Sequence, residues 1–70
     1  MKTINAIIER AKDGTYNAYC TEEIFSGVGD TIDAAKEDLI RQMKIYKETA
    51  MSEGFKYPAF LDEEFSICFE

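Results

Sequence analysis

The chain has 70 residues, which allows one domain with a thin core, since a fold of this size buries only about 60% of the surface its unfolded form exposes. Hydrophobic residues make up 46% and charged residues 31%, which excludes a disordered tail. Eight basic and fourteen acidic side chains give a net charge of −6, which argues against direct nucleic-acid binding by these residues and fits a basic protein partner, or no charged partner at all.

Residues 3–11 mostly alternate, with Ile4, Ala6 and Ile8 on one face of a first strand. Residues 15–20 alternate too, with Tyr16, Ala18 and Cys20 together, and Asp13-Gly14 between the runs is a hairpin signal. Parity fixes the loop. A two-residue loop would put Ile8 opposite Tyr19 and split the apolar sets. A three-residue loop, Lys12 to Gly14, pairs Arg10 with Tyr16, Ile8 with Ala18 and Ala6 with Cys20, with Gly14 left-handed in a bulge. Thr21-Glu22-Glu23 breaks the alternation, and residues 24–28 are expected to form a short third strand.

Thr31 is the expected N-cap of a helix from Ile32 to Ser52 or Glu53, with Asp33 in the first turn and Gly54 just past the end. Ile32, Ala35, Leu39, Met43, Tyr46 and Ala50 form one apolar stripe, which Ile40 and Met51 widen. Glu37 and Arg41 have the spacing of an ion pair. Residues 55–64 are a connection whose aromatic side chains are expected to pack over the helix end. Phe65, Ile67 and Phe69 alternate with Ser66 and Cys68 in a fourth strand. The sequence stops within that alternation, so a longer polypeptide is expected, with residues 1–70 as its N-terminal domain.

The predicted fold class is α+β: a three-stranded antiparallel meander, one long helix packed on one sheet face, and a fourth strand parallel to the first. A single helix covers one face only. The other face carries Ile7 and Tyr19 among Thr3, Asn5, Thr15 and Asn17, with Cys68 able to join it. Ile7 and Tyr19 are the candidate self-association face, and a homo-oligomer is expected. Cys20 belongs to the helix-covered face and Cys68 to the other, so no disulfide should join them.

The hairpin Asp13-Gly14-Thr15-Tyr16, then Gly27, then Gly29-Asp30-Thr31-Ile32-Asp33-Ala34-Ala35 at the helix start resemble HicB-like antitoxins of bacterial type II toxin–antitoxin systems. Gly14, Tyr16, Gly27, Gly29, Thr31 and Ala35 match that family's pattern, and the likeness spans roughly residues 2–70. The family's proline after the second strand is absent, and the helix is longer than usual. The resemblance implies a trimmed RNase H-like fold with strand order 3-2-1-4. It implies a domain that neutralises a small basic mRNA-cleaving toxin. In many relatives a C-terminal DNA-binding domain, here expected beyond Glu70, represses the operon.

The chemistry of the residues is consistent with a binding role. With no histidine, Ser-His and Cys-His catalysis and His-bearing zinc sites are excluded. Cys20 and Cys68 lack metal-ligand spacing, so no metal or cofactor is expected. Asp62-Glu63-Glu64 offers half of a metal-nuclease site at best, because Glu9 on the first strand falls on the opposite face from Ile4 and Ile8. Gly27-Val28-Gly29 lacks the lysine and the spacing of a phosphate loop.

The helix has four basic and five acidic side chains, so most of the acid excess lies on strands and loops. Glu22, Glu23, Asp62, Glu63 and Glu64 are the candidate partner surface, the alternative being acidic loops that only keep the domain soluble. No run reaches the roughly 18 apolar residues of a membrane helix, and the first residues lack a signal-peptide core, so the expected location is cytoplasmic. Three readings stand: an antitoxin domain, an oligomerisation or sensing module of a small regulator, and a small hydrolase.

Overall fold

In the computed structural model, which describes residues 2–70, the chain opens with a hairpin of β1 (Lys2–Arg10) and β2 (Tyr16–Cys20). Its register is Arg10 with Tyr16, Ile8 with Ala18 and Ala6 with Cys20, as the parity argument requires. The turn closes through Gly14 N–H to the Ala11 carbonyl, 3.1 Å, and Ala11 N–H to the Thr15 carbonyl, 2.8 Å. Gly14 has φ +92°, a conformation that a Cβ disfavours. Asp13 Oδ1 accepts from the Thr15 N–H and hydroxyl at 3.0 and 2.7 Å. Thr15 therefore belongs to the turn rather than to the open sheet face.

The third strand, β3 (Ser26–Gly29), starts two residues later than the apolar run suggested. Cys20 N–H donates to the Phe25 carbonyl, so residues 21–24 form the turn and Ile24 points out of the fold, 78% exposed. The helix α1 (Ile32–Glu53) begins where Thr31 Oγ1 accepts from the Ala34 N–H, 3.0 Å. It ends at Gly54, φ +77°, where the Gly54 and Phe55 N–H groups both donate to the Ala50 carbonyl.

Ala35, Leu39, Met43 and Ala50 are buried and Tyr46 is half-buried. Three residues depart from the expected stripe: Ile32 at its start, and Ile40 and Met51 that widen it, are exposed, and α1 lies over β3 and β2 rather than over β4. Arg41 pairs with Asp38 at 3.5 Å rather than with Glu37, because the Val28 N–H already holds Asp38 on that flank, 2.9 Å away.

The connection contains a single 3-10 turn, Ala59–Asp62, not anticipated from the sequence, which buries Phe60 and Leu61. The last strand, β4 (Phe65–Phe69), pairs in parallel with β1, and the sheet order is β3-β2-β1-β4. The fold is thus the α+β architecture expected. Its core is Ile4, Ala6, Ala18, Cys20, Phe25, Ala35, Leu39, Met43, Phe60 and Leu61. Phe60 touches Phe25 and Phe65 edge-on, with ring centroids 6.3 and 5.1 Å apart. Among the described residues no helix is long and apolar enough to cross a membrane.

Candidate partner-binding surface

The motif residues that match across the chain are packing and turn residues. A Cβ on Gly27 would meet the Leu39 Cα at 2.7 Å and the Ala35 carbonyl oxygen at 2.8 Å. One on Gly29 would meet the Ala34 Cβ at 2.6 Å. These glycines and the fully buried Ala35 let β3 lie directly against α1. Tyr16 packs half-buried against the core, Gly14 makes the turn and Thr31 caps the helix.

Topology gathers the acidic residues at one end of the sheet. Lys2 pairs with Phe65, and Thr21 N–H donates to the Asn5 carbonyl. The turn carrying Glu22 and Glu23 and the segment Asp62 to Glu64 therefore flank the start of β1 together. Their roles differ. Asp62 is already engaged: Lys47 Nζ is 3.0 Å away, and the Tyr57 hydroxyl donates to it at 2.8 Å. The Lys47 ammonium first, then the Tyr57 hydroxyl, hold its carboxyl below the usual aspartate range. Among the described residues, Glu22, Glu23, Glu63 and Glu64 have no ion-pair partner.

Beside Glu22 and Glu23 lies a feature the sequence reading missed. Ile24, Phe25, Ile45, Tyr46 and Thr49 line an open furrow of about 310 Å³ between the turn, the β3 edge and α1. Ile45 is half exposed, and Phe55 meets Tyr46 edge-on at 5.9 Å. The available signal was Ile45, an apolar residue off the buried stripe, together with Ile24 in a turn. A second, polar hollow adjoins it through Ser26 and Gln42 and includes Glu9, Tyr19 and Asp38.

On the open sheet face Ile7 and Tyr19 sit directly opposite each other, both half-buried. The Tyr19 hydroxyl donates to Glu9 Oε1 at 2.7 Å, which raises the tyrosine pKa. Both cysteines are free: Cys20 is buried, and desolvation, then Glu23, pushes its thiol pKa up, while Cys68 is exposed. Among the described residues no group of three or more His, Cys, Asp or Glu side chains is arranged to hold a metal ion. The surface can therefore offer carboxylates and an apolar furrow to a docking partner. Comparison with known proteins found no matching family model, no matching curated protein and no matching solved structure.

Proposed function

We propose that this chain is a cytoplasmic antitoxin domain that binds and neutralises a small basic mRNA-cleaving toxin, as its likeness to HicB-like antitoxins suggests. One observation carries the reading. Ile24, 78% exposed, follows two carboxylates without ion-pair partners and borders an apolar furrow. An exposed apolar anchor that directly follows two carboxylates suits a cationic protein that presents an apolar side chain among lysines and arginines. The resemblance adds autoregulation of the operon through a C-terminal DNA-binding domain. The test is binding of the purified domain to any small basic protein encoded beside its gene. Ile24→Asp should raise Kd at least about tenfold with the fold intact. Unchanged affinity would remove the furrow from the interface.

The second reading is an oligomerisation or sensing module of a small transcriptional regulator with no toxin partner. The observation in its favour is that β4 forms an outer edge of the sheet.

A further inference from the structure

The two edges of the sheet are finished differently. The Cys20 and Phe25 bond places the outward backbone groups of β3 on Ser26 and Val28. There α1 intervenes, and Asp38 Oδ2 accepts the Val28 N–H at 2.9 Å. A carboxylate on an edge N–H blunts that edge against another strand.

Among the described residues nothing guards the β4 edge in this way. Lys2 N–H donates to the Glu64 carbonyl, Glu70 N–H to the Ala6 carbonyl, and Ile8 N–H to the Glu70 carbonyl. Even-numbered residues of this segment thus face β1. The backbone groups of Phe65, Ile67 and Phe69 face outward. Their side chains lie on the helix side and remain only half-buried, because α1 sits over β3 and β2.

The sequence of this edge reads almost the same in both directions: Phe65-Ser66-Ile67-Cys68-Phe69. We propose that β4 pairs antiparallel with β4 of a second copy of this chain, centred on Ile67, to make a continuous eight-stranded sheet. In this register Phe65 faces Phe69 of the second copy, Ile67 faces its counterpart, and Ser66 faces Cys68. All three outward residues then fall at hydrogen-bonded positions, and their aromatic and β-branched side chains form cross-strand pairs on one face.

Charge agrees on that face. Lys36 Nζ sits 4.9 Å from the centre of the Phe69 ring, and the antiparallel register brings the acidic start of the second copy's β4, at Glu63, alongside that end. On the other face Glu70 comes opposite Glu64 of the second copy. Symmetry makes two such exposed like-charge pairs, and each copy carries a net −6, so the charge between the copies is net repulsive and salt screens it. Self-association therefore strengthens as salt rises, the opposite of the trend for a cationic partner.

Sedimentation across a concentration series and oxidative cross-linking test the pairing. The unmodified chain should dimerise at high concentration, more strongly in added salt. Ile67→Pro removes an N–H that β1 does not use, and should weaken the dimer at least about tenfold while the circular dichroism stays unchanged. Ser66→Cys places a thiol opposite Cys68 at a non-hydrogen-bonded pair and should give a covalent dimer under mild oxidation, faster than the unmodified chain. A chain that stays monomeric overturns the proposal. So does a dimer that is abolished by Ile7→Lys, or one in which Ser66→Cys cross-links no faster.

Discussion

Gly27 is a residue whose whole role is to be small. Its missing side chain is where the Leu39 backbone and the Ala35 carbonyl lie, and all of these atoms belong to the main chain of α1, which cannot swing aside. Gly27→Ala should therefore cost about 1–3 kcal/mol, the usual penalty of overpacking, read as a fall in the denaturation midpoint. Leu39 is fully buried, so Leu39→Ala should cost about 2–5 kcal/mol, enough to unfold much of a domain this small. Lys44 is exposed, and Lys44→Ala should change stability by less than about 0.5 kcal/mol. Equal losses for Leu39→Ala and Lys44→Ala would mean that the helix buries a different face. The sequence made Leu39 legible through its period, and Gly27 only through a resemblance of short motifs. What Gly27 touches depends on where α1 comes to rest, which no local pattern encodes.

At the scale of elements, acid sensitivity follows from two tethers. Asp38 joins α1 to the β3 edge through the Val28 N–H, and Asp62 joins the 3-10 turn to Lys47 on α1 and to Tyr57. Both carboxyls are held below the ordinary aspartate range, the first chiefly by the Val28 N–H and the second chiefly by Lys47. A depressed folded-state pKa stabilises fully above the unfolded value of about 3.9, and the gain is lost as pH falls through the folded value. Melting temperatures should therefore hold from neutral pH down to about pH 5 and fall between there and about pH 2, and Asp62→Asn should flatten that fall. An identical acid slope in the variant would show that the tether contributes nothing. The hairpin register and the caps of α1 were legible because parity, a left-handed glycine and a Thr31 hydroxyl are local causes. The 3-10 turn was not, since one turn has no period to detect. The start of β3 was misread because Ile24 has a strand former's side chain yet sits in a turn that Cys20 closes onto Phe25. The same misreading hid the furrow, whose most exposed wall is Ile24.

For the whole molecule, the chain's net charge of −6 and the placement of its acid matter more than any single contact. Glu22, Glu23, Glu63 and Glu64 gather at the end of the sheet where β1 begins, and Glu22 and Glu23 adjoin the furrow. A cationic partner should be steered there, so its association rate should fall as salt rises from low to physiological. Reversing Glu22 and Glu23 to lysine should slow association with little change in dissociation, as rim charges do. A rate independent of salt would separate binding from this charge. The sequence located these acidic groups, but Asp62 is bound within the fold, a restriction visible only once Lys47 and Tyr57 are placed beside it. The most direct test of the antitoxin reading is growth of cells expressing the small basic protein that this reading expects the adjacent gene to encode, with and without this chain. The account predicts arrest by the basic protein alone, rescue on co-expression and recovery of the two as one complex. Arrest that persists with this chain expressed and folded, or a neighbouring product that arrests nothing, would contradict it.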